Sequence, residues 1–442
     1  HEPRSPFPAV SICNLCNFDA QFSSAILDEI QLNNSFNITE LSSHVREYTD
    51  QITDILRSNV QYLKLFVNDS FDLYSAGFWL SQMLIDCEFQ GQKCSTADFY
   101  WFYDYYYGNC FRFNGNDPMQ TIDSTLQNKT FTTYATKRST RPGARYGLTL
   151  QLQAGNMSTQ QLYTYKAGFR LVISNQSILP FPDDDGIDVP LGKQTNVAVS
   201  RKLVNRLPSP YSNCILHQLS NQATNNNNNE LLQIMAAKIQ QQSTTTNLKQ
   251  YQQNYCLKLC NAQFIYARCK CYPLSFEAID DASTSCVSVE QFECVYEADD
   301  ELLNGEKEME KCYSKCPLEC STVEYSLDVD SAAFPSAWYA DGLNRTYHAY
   351  NYEDSYYDAS SNRSISYEAI KETTAIINVF YKSQYYAKLE EVPAQSFDSL
   401  LANLGGCLTM FSGGAVLTLV VLLEIISSLL TIIFNRLLHE MK

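Results

Sequence analysis

The chain has 442 residues, enough for two or three packed units, and a formal net charge of -16 at pH 7. This excess of carboxylates argues against nucleic-acid binding, because phosphate recognition needs clustered Lys and Arg, and it would concentrate cations instead. Only five histidines occur, and none forms a metal-binding pair or lies beside a nucleophile motif. We therefore expect no enzyme, no metal site and no cofactor.

The N-terminal segment shows no export signal, and a helical region is predicted after it. Residues 1–4 are polar and contain a proline, so they do not form a signal peptide. We expect either that a targeting segment has been removed or that a first transmembrane helix precedes His1. Residues 24–84 are predicted to be helical, as are residues 230–239, which follow the polar tract 225–229.

Alternation of apolar and polar residues predicts strands that lie far apart in the sequence. The alternation occurs in four segments, at 148–152, 169–173, 323–329 and 377–381. Because these segments are distant from one another, we expect one sheet assembled from separate pieces, with helical insertions between them. The fold class is therefore predicted to be α+β.

The cysteines indicate an extracellular domain, since fifteen of the sixteen lie between Cys13 and Cys320. A long chain is not short of core material, so this pattern is typical of a disulfide framework formed in an oxidising compartment. Zinc binding is the alternative, because several cysteines have ligand-like separations. Eight sequence motifs for N-linked glycans support the same compartment. They are at Asn33, Asn37, Asn68, Asn128, Asn156, Asn175, Asn344 and Asn362.

Residues 398–435 differ from the rest of the chain, because Glu424 is the only charged residue between Asp398 and Arg436. About twenty apolar residues span a bilayer, so this stretch predicts a transmembrane segment that is longer than crossing the bilayer requires. It also contains two glycine pairs, which favour close helix packing or a helix break. Basic residues beyond it indicate a cytoplasmic C-terminus, and we expect the plasma membrane as the location.

Five sequence motifs occur in the order and spacing of one known family. They are residues 7–14, residues 87–94 with 108–114, residues 167–169, the cysteine cluster 214–320, and residues 404–418. In these motifs the chain resembles the degenerin, epithelial sodium channel and acid-sensing ion channel family. In order, they resemble its first palm strand, its finger signature, the start of its β-ball strand, its disulfide-stapled thumb and its second transmembrane helix.

The resemblance implies a disulfide-rich extracellular domain at 1–392, a pore-lining transmembrane helix at 393–437 and a cytoplasmic end at 438–442. It implies a finger at about 16–140 and a thumb at about 214–320, with palm, knuckle and β-ball in the remainder. It also implies seven disulfides and two thiols. The pairs are Cys13–Cys110, Cys87–Cys94, Cys214–Cys320, Cys256–Cys316, Cys260–Cys312, Cys269–Cys294 and Cys271–Cys286, with thiols at Cys16 and Cys407.

The resemblance also assigns roles in the membrane segment. The selectivity belt corresponds to Gly413, Gly414 and Ala415, the gate to Ser399, Asn403 and Gly406, and the inner vestibule to Glu424. Alanine stands at 415 where relatives carry serine, so the preference for sodium over potassium stays open. Structural alternatives are a close helix contact at the glycines and a snorkelling carboxylate at Glu424.

Residues outside the membrane segment bear on how the channel is gated. Tyr211 matches an aromatic of the wrist, although ordinary packing would also explain it. The aromatic run 99–107 either belongs to the core or lines a ligand pocket. Leu257 and Asn261 stand where acid-sensing relatives carry the Arg and Glu that hold chloride. Carboxylates at 297–301 form either a proton-sensitive cluster or a solvated helix face.

The sequence therefore predicts one subunit of a homo- or heterotrimeric cation channel that conducts sodium. The expected partners are related subunits, membrane lipid and an extracellular gating ligand such as a peptide or protons. Mechanical force and constitutive opening stay open as alternatives. The competing function is a single-pass, disulfide-rich cell-surface receptor, or a non-conducting subunit of a heteromer. Against the receptor stands the overlong membrane segment with its glycine pairs and Glu424.

Overall fold

The computed structural model divides the chain into two compact units, His1–Leu389 and Glu390–Lys442. The first unit contains both strands and helices and has seven disulfides. This confirms the predicted disulfide-rich fold with mixed helices and strands. The structure describes residues 4–19, 23, 53, 56–57, 60, 76–115, 119–121, 130–132, 136–155, 166–216, 230–240, 250–276, 285–286, 288–342, 367–412 and 416–440.

The secondary structure elements are numbered here in chain order. The strands are β1 (Ser5–Pro6), β2 (Ala9–Asn14), β3 (Leu84–Phe89), β4 (Gln92–Lys93), β5 (Phe99–Asp104), β6 (Gly108–Phe113), β7 (Met119–Thr121), β8 (Thr130–Thr132), β9 (Arg138–Ser139), β10 (Leu148–Gln153), β11 (Gly168–Ser174), β12 (Ile187–Pro190), β13 (Lys193–Asn205), β14 (Ser321–Ala333) and β15 (Thr374–Glu390). The helices are α1 (Leu80–Met83), α2 (Pro182–Asp185), α3 (Glu230–Gln240), α4 (Gln253–Cys269), α5 (Val289–Asn304), α6 (Glu306–Lys315), α7 (Tyr367–Thr373), α8 (Phe397–Ser412) and α9 (Val416–Glu440).

Two larger sheets form the body of the first unit. One has five strands in the order β12-β11-β2-β6-β5, and the other has six in the order β14-β13-β15-β10-β3-β4. All residues of β2 are buried, as expected for a central strand that is covered on both faces. Two further pairs, β1 with β9 and β7 with β8, form small two-stranded sheets.

The expectation of a single sheet is wrong, because the four predicted strands are divided between two sheets. Residues 148–152, 323–329 and 377–381 lie in the six-stranded sheet, whereas residues 169–173 lie in the five-stranded one. Apolar side chains from both sheets belong to one buried cluster. Alternation identifies a strand with one apolar face, but it does not say which neighbour covers that face.

The buried cluster joins the two sheets around Phe7, which is fully buried. The Phe7 ring centroid lies 5.0 Å from that of Phe89 and 6.0 Å from that of Tyr381. The Tyr381 hydroxyl donates to the carbonyl of Pro6 at 2.6 Å, so this buried tyrosine is satisfied. The core therefore fixes the N-terminal segment against β15, the strand that leads to the second unit.

Helices α3, α4, α5 and α6 form a bundle inserted between β13 and β14, called the helical bundle below (residues 214–320). The helix predicted at 230–239 is confirmed as Glu230–Gln240. Most of the helical region predicted at 24–84 lies outside the described residues. Among its described residues, 53, 56, 57 and 60 are helical, but residues 77–79 are not, so the prediction is wrong there. The short helix α1 covers only Leu80–Met83, and the strand β3 begins at Leu84.

Candidate functional site

The residues assigned to the gate lie on α8. The helix begins at Phe397, and the side chain of Ser396 accepts a hydrogen bond from the backbone N–H of Ser399 at 3.2 Å, which is N-cap geometry. Spacings of four and three residues put Ser399, Asn403 and Gly406 on one face of this helix, and all three are exposed in the single chain. The face is therefore free to meet other helices.

Glycine carbonyls on α8 are engaged by a threonine one turn later. The Thr409 hydroxyl lies 2.6 Å from the carbonyl oxygen of Gly405 and 2.9 Å from that of Gly406. Such back-bonding to the preceding turn often bends a helix. The helix ends at Ser412 and α9 begins at Val416. The predicted selectivity belt, Gly413, Gly414 and Ala415, lies outside the described residues.

Glu424 is exposed in the first half of α9, and its backbone carbonyl accepts a hydrogen bond from the Ser427 hydroxyl at 3.1 Å. The large apolar residues around it are also exposed in the single chain. They are Val420, Val421, Leu422, Leu423, Ile425, Ile426, Leu429, Leu430, Ile432, Ile433 and Phe434. Among the parts of the chain that the structure describes, no helix combines the length and the apolar character that crossing a membrane requires.

The disulfides join the same seven pairs that the resemblance implies. They are Cys13–Cys110, Cys87–Cys94, Cys214–Cys320, Cys256–Cys316, Cys260–Cys312, Cys269–Cys294 and Cys271–Cys286. The clustered cysteines considered for zinc therefore keep no free thiolate. Cys407 is an exposed thiol and Cys16 a buried one, and burial raises the pKa of Cys16 to about 12.

The base of the helical bundle is fixed by covalent and backbone bonds. Cys214 and Cys320 are joined there, and the backbone of Ile215 forms a parallel bridge with that of Glu319. The Arg206 guanidinium donates to the Glu319 carbonyl at 2.9 Å. Tyr211 lies in the turn just before this base, and its side chain is 63% exposed. Its role in coupling to a first transmembrane helix stays a prediction.

The aromatic run 99–107 divides into a core part and an exposed part. Phe99 is buried against Phe113, with ring centroids 5.4 Å apart, and so belongs to the core. Trp101 is half-buried, and its indole N–H donates to Asn109 Oδ1 at 3.0 Å. One face of the run borders a small cleft of about 190 Å³, which is lined by Leu80, Ser81, Thr96, Phe99, Trp101 and Phe111.

The β5–β6 turn, which carries Tyr105, Tyr106 and Tyr107, is held by polar groups. Oδ1 of Asp104 accepts the backbone N–H groups of Tyr106 at 2.9 Å and of Tyr107 at 3.0 Å. Gly108 follows with a φ of 67°, and a Cβ there would lie 2.8 Å from the carbonyl oxygen of Asn17. Only glycine fits this close approach, so the turn has a fixed position.

Sequence reasoning missed an ionic junction between α2 and the helical bundle. The ammonium of Lys258, on α4, donates to Asp183 at 2.6 Å and lies 3.3 Å from a carboxylate oxygen of Asp184. The same ammonium lies 5.2 Å from the ring centroid of Phe181. Burial opposes the charge on Lys258, but its bonds to the two carboxylates outweigh burial and raise its pKa. The run of three aspartates after Pro182 was the available sequence signal.

Asp104 lies next to this junction. Burial, assisted by the negative charge of Asp183, raises the pKa of Asp104 to about 6, against the lowering effect of backbone N–H groups and of Lys258. Burial and the charges of Asp184 and Asp183 also raise the pKa of Asp185. Burying several carboxylates close together at the junction costs free energy through desolvation and repulsion, and pairing with Lys258 partly offsets this cost.

The positions that replace the chloride-binding residues of acid-sensing relatives make other contacts. Leu257 packs against the buried core of the helical bundle. The Asn261 side-chain amide donates to Asp299 at 3.3 Å. Glu301, in the acidic segment 297–301, forms an ion pair with Arg268. These carboxylates are therefore partly engaged within the bundle.

Of the eight predicted glycosylation sites, only Asn175 lies among the described residues. It is half-buried, and its backbone carbonyl accepts a hydrogen bond from the buried Arg112 at 2.8 Å. Its modification stays a prediction. The other seven lie outside the described residues: Asn33, Asn37, Asn68, Asn128, Asn156, Asn344 and Asn362.

Comparison with known proteins gives one family. Its description is "Amiloride-sensitive sodium channel", and its profile matches residues 1–425. Epithelial sodium channel subunit beta-2 of Xenopus laevis is 28% identical over 410 residues, covering 91% of this chain and 54% of that protein. Degenerin-like protein unc-105 of Caenorhabditis elegans is 27% identical over 364 residues, covering 80% and 35%.

A third relative is the FMRFamide-activated amiloride-sensitive sodium channel of Cornu aspersum, 22% identical over 497 residues, covering 97% of this chain and 73% of that protein. The chain spans about half the length of the first relatives. The family consists of ion channels rather than enzymes, which agrees with the absence of a catalytic motif in the sequence. The profile match over most of the chain shows that this protein belongs to the amiloride-sensitive sodium channel family.

Proposed function

We propose that this chain is one subunit of a trimeric cation channel that conducts sodium and is gated through its extracellular domain. The observation that carries the proposal is the extent of the family match, which begins in the disulfide-rich unit and continues to residue 425 on α9. A receptor ectodomain would share disulfides and glycosylation motifs with this chain. It would have no need of the glycine-interrupted apolar segment.

In this proposal residues 1–392 are extracellular and lie over the plasma membrane, with a finger, a thumb formed by the helical bundle, a palm, a knuckle and a β-ball. Residues 393–437 line the pore. The described apolar side chains of α9 are exposed in the single chain, which supports this placement because lipid would cover them. Glu424 would then face the inner vestibule, where a carboxylate attracts cations.

The proposed stimulus is an extracellular ligand, with a peptide tested first. The relative from Cornu aspersum is named as FMRFamide-activated, and it aligns with 97% of this chain. Protons are the second stimulus to test. Leu257 and Asn261 depart from the acid-sensing pattern, whereas the raised pKa of Asp104 provides a group that titrates near pH 6.

Whole-cell recording of the full-length protein, expressed alone, is the direct test. Peptides, pH and cation composition are varied in turn, and we expect a sodium-carrying current under at least one condition. A silent channel that conducts after co-expression of a related subunit identifies an obligate heteromer, and several relatives are indeed named as subunits. Silence in both settings, with protein at the cell surface, contradicts the channel proposal and favours the receptor.

The gate is tested by substituting Ser399. Three copies of α8 converging near Asn403 and Gly406 leave little space behind a small side chain, so a bulky residue strains the closed packing. A few kcal/mol of strain confined to the closed state is enough to open a mostly closed channel. We expect stimulus-independent current from Ser399→Phe and normal behaviour from Ser399→Ala. A silent Ser399→Phe channel at the cell surface means that the gate lies elsewhere.

The selectivity belt is tested by restoring the hydroxyl that relatives carry. Gly413, Gly414 and Ala415 would form a ring of backbone carbonyls around the ion. We expect Ala415→Ser to change the ratio of sodium to potassium permeability, as measured from reversal potentials in paired salts. An unchanged ratio, together with tolerance of large residues at Gly414, excludes this position as the belt.

A further inference from the structure

Disulfides crosslink the helical bundle into one piece. Its base is closed by Cys214–Cys320 at the point where β13 and β14 lead into and out of it. Above the base, Cys256–Cys316 and Cys260–Cys312 join α4 to the end of α6, and Cys269–Cys294 joins α4 to α5. Crosslinks at successive turns of α4 prevent the helices from separating. A displacement of the bundle relative to the two sheets must therefore occur about its base.

Away from the base, the described residues show two contacts between the bundle and the body. One is a side-chain hydrogen bond between Tyr106 and Ser275, and the other is made by the segment before and within α2. Leu179 and Phe181 pack against the buried core of the bundle, and Lys258 pairs with Asp183 and Asp184. The side chains of Lys258 and Asp183 are 30% and 26% exposed, so water only partly screens this pair. Such a pair contributes more than an ion pair on the open surface.

The α2 segment is in turn fixed to the five-stranded sheet by Arg170 on β11. Its guanidinium donates to the backbone carbonyl of Pro182 at 2.7 Å and to that of Asp183 at 3.3 Å. It also pairs with Asp188 at 2.9 Å. Arg170 therefore holds the backbone of the segment, while Lys258 is the cation that binds the carboxylates of Asp183 and Asp184.

Without Lys258, the carboxylates gathered at the junction would repel one another. Asp183, Asp184 and Asp185 stand in a row on the body side, and the charge of Asp183 acts on Asp104 as well. Burial raises the pKa of the Tyr106 hydroxyl, and the charges of Asp183 and, on the bundle side, Asp299 act in the same direction, so a further carboxylate faces the same region. Most of these carboxylates lie on the body, and Lys258 is the bundle residue whose ammonium reaches across to pair with two of them.

We propose that Lys258 is a latch that docks the disulfide-stapled helical bundle onto the α2 segment against carboxylate repulsion, and that opening this latch is a step in gating. The second half rests on the proposed channel function. A stimulus that acts by moving the bundle away from the body must break the Lys258 pair first. The latch therefore sets part of the stimulus strength that the channel requires.

The latch is tested by hydrogen exchange of the full-length protein in lipid nanodiscs at pH 7. In Lys258→Met we expect exchange at residues 179–190 and 250–262 to become about tenfold faster, since loss of a partly buried charge pair costs on the order of one decade in an opening equilibrium. The matched control is Lys202→Met, which removes the same charge from the exposed pair with Glu324 on β13 and β14. Unchanged exchange in β10 and β15 would show that the body stays folded in both variants.

A rescue variant separates repulsion from simple loss of contact. Adding Asp183→Asn and Asp184→Asn to Lys258→Met removes the repelling charges, and we expect exchange to return most of the way to the wild-type rate. Unchanged exchange in Lys258→Met overturns the latch. Fast exchange in both variants overturns the repulsion that the latch is proposed to oppose.

Current recordings test the role of the latch in gating. We expect Lys258→Met to lower the half-activating stimulus about threefold or more, with Lys202→Met unchanged. Faster exchange without this shift, or with a shift to higher stimulus, overturns the gating half and leaves the channel proposal intact. If no variant conducts, wild type included, the channel proposal fails while the exchange data still decide whether the latch exists.

Discussion

The two-sheet body and the helical bundle are held together by different means. The body has a continuous apolar core that both large sheets share, and two disulfides, Cys13–Cys110 and Cys87–Cys94. The other five disulfides lie in the bundle, and four of the buried residues described in its core are disulfide-bonded cysteines, at 256, 260, 312 and 316. Burial stabilises the first region, whereas crosslinks replace much of the burial in the second.

This difference suits the two regions to different tasks. A shared core resists deformation because close-packed side chains have few alternative arrangements. A crosslinked bundle with a small core resists internal opening, and away from its base the described contacts with the body include the apolar contacts of Leu179 and Phe181 and the ion pair of Lys258. Its position then depends on a few specific contacts, such as those of Lys258. In the proposed channel the body is the frame and the bundle is the part that moves.

The largest effect is expected in the core of the body. Phe113 is fully buried, and its ring centroid lies 5.5 Å from that of Phe89 and 5.4 Å from that of Phe99. We expect Phe113→Ala to lower the free energy of unfolding by about 3–5 kcal/mol, since the cavity is enclosed by both sheets. Thermal unfolding of the purified protein and surface expression measure it. Tyr296→Ala, at a side chain that is 78% exposed on α5, is the matched control.

If Phe113→Ala left stability unchanged, the two sheets would not share one core, and the contrast between body and bundle would lose its basis. An equal loss in Tyr296→Ala would indicate instead that the method responds to any aromatic deletion.

A smaller and more local effect is expected in the bundle. Replacing Cys260 and Cys312 together by serine removes one of the two crosslinks between α4 and the end of α6, while Cys256–Cys316 still closes the surrounding loop. We expect a loss of about 2 kcal/mol, at the low end of the usual range for a disulfide and confined to the bundle. Limited proteolysis and hydrogen exchange of α4 and α6 measure it, with β10 and β15 as the reference in the same molecule. Faster exchange in the strands as well would mean that the bundle and the body unfold as one unit.

Features that depend on the local chain were accessible from the sequence. Alternation identified Leu148, Leu150 and Leu152 as one face of a strand, and all three are buried in β10. The apolar periodicity at 230–239 likewise identified a helix. These signals work because the period of a strand or helix is set by the backbone itself.

Features that depend on distant parts of the chain were not accessible in this way. The division into two sheets follows from pairing between segments such as β2 and β11, whose registers join residues more than one hundred positions apart. The Lys258 junction joins positions 183 and 258, and no local pattern connects them. Disulfide pairing was obtained only through resemblance to a family, because spacing alone leaves many connectivities open.

The smallest effect is expected in the pH dependence of stability, at Asp104 on the body side of the junction. Asp104 is half-buried, and the charged groups that act on it are Asp183 and Lys258, while the nearby Tyr103 and Tyr107 hydroxyls are neutral in this pH range. Its pKa of about 6 in the folded protein is above the usual value near 4, so the folded state binds the proton more tightly than the unfolded state. Stability is therefore lost as pH rises through 6 and is fully present below about pH 4.

We expect Asp104→Asn to stabilise the protein at pH 7 by about 1–2 kcal/mol, because the amide removes a carboxylate that must otherwise ionise beside Asp183, and partial exposure reduces the effect. The difference in thermal midpoint between pH 5 and pH 7 should shrink in this variant. Asp86→Asn is the control, since Asp86 pairs with Lys93 on the exposed edge of the six-stranded sheet. An unchanged pH dependence in Asp104→Asn would place the titrating group elsewhere, and the junction would then carry its charges without any response to pH.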